Sequence, residues 1–400
     1  MAPPPRPEKP RILLVAGEAS GDRYGAHLIA ALREQAGGIA CFGIGGDRMI
    51  REGFEPLYES RRLAVVGLVE VLARLPLYLR VMRDLRRRVA ADRPDLAVLI
   101  DFPDFNLRLA RHLKRAGIPV LYFVGPQVWA WRRGRVRTIA GRVDAMALIL
   151  PFEASLYAGT GLEVEFVGHP LVDLAAPRCG REEARRRFGI GAGETAVGLL
   201  PGSRPGESRR ILPVLLAAAR ILRRRLPRTR FLVPLADTLD RADLEAGVRR
   251  EGVPVEVVED QFYEVLTACD AAAVASGTAT LEAALLGLPM VIVYRLHPLT
   301  HWIGSRLATV EMIGLANLVL GRRVVPELVQ KECRPERVAA EIARLIDDPD
   351  HRARIQAALA GVRDRLGRGD AFRNTAGMAL RLLSRGPAAA PLPAPAEGGT

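Results

Sequence analysis

The most reactive-looking residues of this chain follow an apolar run. Asp101-Phe-Pro-Asp-Phe-Asn106 comes directly after Leu96–Ile100. In open α/β sheets the carboxyl end of a strand is where ligands bind. A carboxylate held there could take a proton from an attacking hydroxyl. Asp101 stands nearest the strand end and is the candidate base. Pro103 keeps Phe102 from running smoothly into a helix. Asp104 and Asn106 equally suit caps for a helix starting at Leu107.

Four further motifs carry side chains of the right type at a strand-to-helix junction or loop. Gly17-Glu-Ala-Ser-Gly-Asp22 follows Arg11–Ala16. Its glycines permit a sharp turn and close approach to a ligand. Glu18 and Asp22 would repel a pyrophosphate, so a sugar-binding loop fits better than a dinucleotide loop; a turn capped by Ser20 or Asp22 is the plainer reading. Gly125-Pro-Gln-Val-Trp-Ala-Trp131 precedes Arg132, Arg133, Arg135 and Arg137. Its tryptophans suit either a sugar platform beside an anion site or core packing. Gly202-Ser-Arg204 ends the run Ala196–Leu200 and opens a helix, offering backbone N–H groups and a guanidinium to a diphosphate. Glu207 could close a capping box there. Ser276-Gly-Thr-Ala-Thr-Leu-Glu282 repeats the arrangement with hydroxyls for phosphate oxygens, and places Glu282 within reach of ribose hydroxyls. A structural cap competes with that reading.

The elements that must position these groups alternate. Apolar runs recur at Leu96–Ile100, Pro119–Phe123 and Ala145–Leu150, with helical stretches between them. After a pause near Gly168-His-Pro170 and a charged helical stretch Ala175–Arg187, they resume at Ala196–Leu200, Arg230–Pro234, Val255–Val258, Ala271–Ala275 and Met290–Val293. Such alternation predicts parallel sheets covered on both faces. The expected fold class is α/β: two doubly wound Rossmann-like domains facing a central cleft, the GT-B arrangement. The expected division is a flexible terminus over 1–10, a first Rossmann-like domain over 11–170 and a second over 171–345; by the family resemblance given below, the first should face acceptor and membrane and the second the nucleotide sugar. C-terminal helices over 346–385 should pack back on the first domain, ahead of a disordered Pro/Ala/Gly-rich tail over 386–400.

Composition narrows the function. Half-hydrophobic and quarter-charged content marks a globular chain rather than a disordered one. No apolar run is long enough for a membrane span, and the Pro-rich start lacks a signal-peptide core, so a cytoplasmic protein is expected. Cys41, Cys179, Cys269 and Cys333 form no metal or disulfide pattern. The net charge of +13 comes almost wholly from arginine. It reflects either genome composition or an acidic partner such as phosphate, anionic lipid or nucleic acid. No nucleic-acid-binding signature accompanies it, and aromatics for base stacking are few, so nucleic acid is not an expected partner. From Val65 to Met82 apolar residues recur at helical spacing, flanked by Arg74, Arg80, Arg83, Arg86, Arg87 and Arg88. This suits a core helix with a basic face, or a lipid-facing patch of Val65, Leu68, Val69, Leu72 and Leu75.

Taken together, an ordered set of pieces from residue 12 to about 335 closely resembles the lipid-A-disaccharide synthases, bacterial GT-B glycosyltransferases. The pieces are GEASGD (17–22), GIGGDRM (43–49), DFPDFN (101–106), PQVWAWR (126–132), LPFE (150–153), FVGHP (166–170), LLPGSR (199–204), SGTATLE (276–282), PLT (298–300), IGLAN (313–317) and VPELVQ (325–330). Two positions depart from the family's habit: Ala316 stands where proline is common, and Gly125 where serine is frequent. The resemblance implies an inverting transfer from UDP-2,3-diacylglucosamine to 2,3-diacylglucosamine 1-phosphate (lipid X). The products are a β-1,6-linked disaccharide 1-phosphate and UDP. It implies no cofactor and no metal, and peripheral attachment to the inner-membrane surface. The oligomeric state stays open, a homodimer included. It gives Asp101 the role of base. Gly202, Ser203, Arg204, Ser276, Gly277, Thr278, Glu282, Asn317, Glu327 and Gln330 fall to the UDP-sugar, and Glu18, Ser20, Asp22, Asp104, Asn106 and Trp129 to the acceptor.

Overall fold

The computed structural model describes residues 9–63, 75–131, 133–295 and 312–385. They fall into two compact units, one built from the chain up to Pro170 and from Asp370 onward, the other from Leu171–Gly369.

The first unit is a parallel sheet in the order β3-β2-β1-β4-β5-β6-β7. Its strands are β1 Arg11–Ala16, β2 Ala40–Gly45, β3 Glu55–Glu59, β4 Leu96–Ile100, β5 Val120–Phe123, β6 Ala145–Leu148 and β7 Glu163–Phe166. The central strands β4, β5 and β6 are buried at every residue, as continuous apolar runs covered on both faces must be. Strands β2, β3 and β7 carry no such run. In β2, glycine replaces apolar bulk because the chain passes close to its neighbour. Gly43 has φ 137°, and a Cβ there would lie 2.3 Å from the carbonyl oxygen of Leu14. Strand β7, Glu-Val-Glu-Phe, is half-buried at the sheet edge.

The helix Ala19–Ala36 begins well before the expected start at Tyr24 and stops at Gly37, whose left-handed φ of 69° ends it. The helix Ala371–Ser384 packs against it. Tyr24, Phe123 and Phe372 meet there with ring centroids 6.2–6.3 Å apart.

The second unit repeats the plan in the order β10-β9-β8-β11-β12-β13. The strands are β8 Thr195–Leu200, β9 Thr229–Pro234, β10 Val255–Val258, β11 Ala271–Ala275, β12 Met290–Tyr294 and β13 Glu327–Val329. The charged stretch expected to be helical over Ala175–Arg187 is shorter. Helices Pro170–Leu174 and Arg181–Arg187 are separated by a segment holding Pro177 and Gly180, both poor helix residues.

The C-terminal helices divide differently from the expectation over 346–385. Helix Pro349–Leu366 stays in the second unit, against Thr278–Leu285, Leu315–Leu320 and Pro335–Asp347, burying Ile355, Leu359, Val362 and Leu366. Only Ala371–Ser384 belongs to the first. The break comes at Gly367, Gly369 and Asp370, with φ of 97°, 103° and 66°. A Cβ on Gly369 would lie 2.7 Å from Asp173 Oδ1. Of the amphipathic stretch, Val65, Leu68, Val69 and Leu72 lie outside the described residues, as do PLT (298–300), most of 1–10 and all of 386–400. The helix Leu75–Ala91 buries Val81, Met82, Leu85 and Val89 and leaves Leu75 and Leu79 exposed. No described helix is long and apolar enough to cross a membrane.

Candidate active-site residues

In each sheet the strand order reverses between two central strands, and the loops that follow those strands diverge to opposite faces. This is the position where doubly wound sheets open a crevice. In the first unit the pair is β1 and β4, with Ala16 opposite Ile100. The loops Gly17–Asp22 and Asp101–Asn106 therefore leave the sheet side by side. Gly17 lies so close to the Phe102 ring that a Cβ would come within 2.4 Å of it.

Asp101 and Phe102 are both left-handed, at φ 46° and 51°. For residues other than glycine this costs roughly 1–2 kcal/mol each, so the turn needs support from its surroundings. The support comes from below. The Asp101 carbonyl accepts hydrogen bonds from Asn106 Nδ2 at 2.7 Å and from the Tyr122 hydroxyl at 2.6 Å, while its N–H donates to Phe123 O at 2.9 Å. Burial drives the Tyr122 phenol far above its ordinary pKa, so it acts as a donor throughout. The helix begins at Pro103, with Phe102 as its N-cap residue, not at Leu107. Asp104 and Asn106 therefore lie inside it. Asn106 is fully buried and also donates to Ile100 O at 3.2 Å. It is a strut under the Asp101 turn, and its expected contact with the acceptor does not fit that burial. Asp104 is exposed in the first turn and pairs with Arg135 at 3.3 Å.

Glu18 is the exposed N-cap residue of Ala19–Ala36 and makes no capping bond; Ser20 is exposed in the first turn. Asp22 differs. It is buried, and its carboxylate accepts from the backbone N–H groups of Gly46 (2.7 Å), Met49 (3.1 Å) and Arg48 (3.2 Å). It caps the short helix Asp47–Arg51 and ties GEASGD to GIGGDRM, which corrects both its expected roles, acceptor ligand and cap of its own helix. Trp129 is also corrected. It is 7% exposed, stands edge-on to Phe152, and donates its indole N–H to Glu153 Oε1 at 3.2 Å. An indole so placed is packing, not a sugar platform. The side chain of Trp131 lies outside the described residues.

Glu153 itself was not singled out from sequence. It is 2% exposed, and burial pushes its carboxyl up to about 7, against the pull of hydrogen bonds from Leu150 N–H and Trp129. The Asp101 charge raises it further. The piece LPFE held the residue, but an acid after an apolar strand gives no hint of burial.

In the second unit the reversal lies between β8 and β11. Gly202-Ser203-Arg204 follows β8. Gly202 has φ 96°, and a Cβ there would meet Glu207 Oε2 at 2.4 Å. Arg204 is the exposed N-cap residue of Pro205–Arg225, and its side chain makes no capping bond. Glu207 forms no capping box. It tucks beneath Gly202, where burial raises its pKa and Arg204 lowers it. Gly277, at φ 152°, is the uncapped N-cap residue of Thr278–Leu285. Ser276 Oγ donates to Ile313 O at 2.8 Å, and Thr278 is exposed. The Tyr263 hydroxyl donates to Glu282 Oε1 at 2.8 Å and fixes that carboxylate.

Asn317 leaves the expected ligand set. It is fully buried, its Nδ2 donates to Val325 O (2.9 Å) and Glu327 Oε1 (2.8 Å), and its Oδ1 accepts from the N–H groups of Val324 and Val325, both at 2.9 Å. That occupies the full capacity of a carboxamide. Glu327 accepts further from the N–H groups of Ile313 and Gly314, each at 3.0 Å. The pair braces IGLAN against VPELVQ. Gln330 is the reverse case: left-handed at φ 52°, with a buried Nε2 that meets no acceptor among the described residues.

Comparison with known proteins agrees with this layout. Among solved structures, a UDP-GlcNAc 2-epimerase from Neisseria meningitidis bound to UDP-GlcNAc aligns with a TM-score of 0.65 at 12% identity, over 94% of this chain and 100% of that one. Acinetobacter baumannii MurG aligns at 0.55 and 12% identity, over 93% and 99%. At that identity they establish the fold, two Rossmann-like domains of GT-B type. Closer in sequence are the lipid-A-disaccharide synthases of Geobacter metallireducens, 47% identical over 94% of this chain and 98% of the relative, and of Myxococcus xanthus, 45% identical over the same shares. The family model of lipid-A-disaccharide synthetase matches residues 12–376, both switch-point loops of both units included. With that span and those relatives, the chain belongs to the lipid-A-disaccharide synthetase family and is a glycosyltransferase.

Proposed function

We propose that the chain joins UDP-2,3-diacylglucosamine to lipid X with inversion, using the first unit for the acceptor and the second for the donor. Asp101 takes the proton of the acceptor's 6-hydroxyl as that oxygen attacks the anomeric carbon. Charge then develops on departing UDP. Arg204 and the backbone N–H groups at Gly202-Ser203 and Gly277-Thr278 offset it, as preorganised donors do best. Ser276 and Glu327 shape the loop beside those donors, Glu282 holds ribose hydroxyls, and Gln330 supplies a donor from its unpartnered amide. Glu18, Ser20 and Asp104 are the exposed polar groups left for the acceptor sugar. Asp22, Asn106, Trp129 and Asn317 hold the loops in place.

The observation that carries this reading is the left-handed Asp101-Phe102 turn, braced from three sides at the switch point beside Glu18. Backbone strain of this kind persists where the surroundings over-determine it, often at functional sites. The test is mass spectrometry of the product formed by purified protein from UDP-2,3-diacylglucosamine and lipid X. UDP-GlcNAc is offered in parallel, and preference for that non-acylated donor overturns the reading.

Peripheral attachment to the cytoplasmic surface of the inner membrane belongs to the same proposal. It is supported by Leu75 and Leu79, 42% and 61% exposed on a helix that also carries Arg80, Arg83, Arg86 and Arg87. Co-sedimentation with anionic vesicles, lost on Leu79→Glu, checks it.

A further inference from the structure

Two adjoining cavities open on the first unit along the helix Pro103–Arg115. The larger, of about 270 Å³, is lined by Arg86, Arg108, Arg111, His112, Arg115 and Arg142. The smaller, of about 150 Å³, shares Arg108 and Arg142 and is bounded also by Pro103, Asp104 and Arg135. Among the described residues no carboxylate pairs with Arg86, Arg108, Arg111, Arg115 or Arg142, whereas Arg11, Arg88, Arg181 and Arg185 elsewhere each have an acidic partner. Arg142 donates to Leu107 O at 3.3 Å, which anchors its guanidinium at the junction of the two cavities. Like charges around one concavity repel unless an anion joins them. His112 registers the excess: burial first, then Arg86 and Arg115, lower its pKa.

We propose that Arg108 and Arg142 bind the anomeric phosphate of the acceptor, while Arg135 at the rim stays paired with Asp104. This rests on the functional reading above and names where the acceptor's charge is held. The placement follows from the helix. Pro103 comes two residues after Asp101 and lines the same cavity as both arginines. Arg108 stands five residues further on, a rise of about 8 Å, and helical side chains lean back toward the N-terminus. An acceptor attacking through its 6-hydroxyl carries its phosphate across the sugar ring, so base and phosphate site must be about one ring apart. A phosphomonoester dianion between two guanidinium forks gains charge-assisted, bidentate hydrogen bonds. The donor diphosphate has its own glycine turns in the second unit. Arg86, Arg111 and Arg115 add a positive field that draws the acceptor in.

The test compares lipid X with the same sugar lacking phosphate, 2,3-diacylglucosamine, at saturating donor. Wild-type protein should prefer the phosphorylated acceptor in kcat/KM. The double variant Arg108→Gln/Arg142→Gln should lose that preference by about tenfold or more, the loss confined to lipid X and to KM. Arg142→Lys in place of Arg142→Gln should restore part of it. Equal loss with both acceptors, or an unchanged preference, overturns the proposal. So does a double variant that keeps the preference but no longer binds phosphatidylglycerol vesicles, which would assign the cavities to a lipid headgroup. A wild-type protein that forms no disaccharide from either acceptor sinks the functional reading itself.

Discussion

The two units share one scaffold and differ in what they display at the same place on it. Both are parallel sheets whose order reverses at the centre, at β1/β4 in one and β8/β11 in the other. At the first reversal the loops present carboxylates, Glu18 and Asp101, and the sharp turn is made by non-glycine residues forced left-handed. At the second they present Gly202, Arg204, Gly277 and Thr278, with glycines at the positive-φ positions and helix N-termini left uncapped. A turn built from Asp101 and Phe102 costs backbone energy but carries a carboxylate. A turn built from glycine costs little and lets a polyanion approach the backbone. The lesson is that one repeated fold here displays different chemistry in its loops.

That contrast can be tested by breaking each side in turn. Asp101→Ala should lower kcat by about 10²–10⁴, the range for loss of a general base, while UDP affinity measured by calorimetry stays near wild type. Near-normal turnover would move the base elsewhere. Arg204→Ala should cut kcat by about 10²–10³ and also weaken UDP binding, the opposite pattern to Asp101→Ala. If both variants leave UDP binding alone, the division of labour between the units is wrong.

Two smaller effects sharpen the comparison by probing one buried polar side chain in each unit. Glu153, with its carboxyl near 7 in the folded state against an ordinary 4.5, binds its proton more tightly folded than unfolded. Its contribution to stability is complete below about pH 4.5 and is lost as pH rises through 7, amounting to at most about 3 kcal/mol. Thermal melts from pH 4.5 to 7.5 should therefore show wild type losing stability relative to Glu153→Gln; parallel curves would exclude the linkage. On the other unit, Asn317→Ala should destabilise by about 1–3 kcal/mol, since it strands a carbonyl, two N–H groups and a carboxylate. Donor KM should change less than in Glu282→Ala. A variant of normal stability that has lost donor affinity would return Asn317 to the ligand set.

Much of the scaffold was legible in the sequence. The strands at Leu96–Ile100 and Ala271–Ala275 announce themselves because burial on both faces demands uninterrupted apolar runs. Strands β2, β3, β7 and β13 did not, since glycine, edge exposure or shortness leaves no such run. The junction at Pro170 matched a visible pause in the pattern. The break at Gly367–Asp370 assigns the last two long helices to different units, where the sequence reading packed both on the first.

Residue types and their place at strand ends pointed to Asp101, Arg204 and Glu282 without any coordinates, because a strand's end and a helix's start are local properties. What a polar side chain does there is not local. Asp22 caps a helix more than twenty residues away, Asn317 closes on Val324, Val325 and Glu327, and Trp129 meets Glu153. Only the folded chain decides whether such a group faces water, a ligand or a distant backbone N–H. Burial and hydrogen-bond partners are set by segments brought together in space, and that choice separates polar side chains left exposed from those committed to bracing a loop.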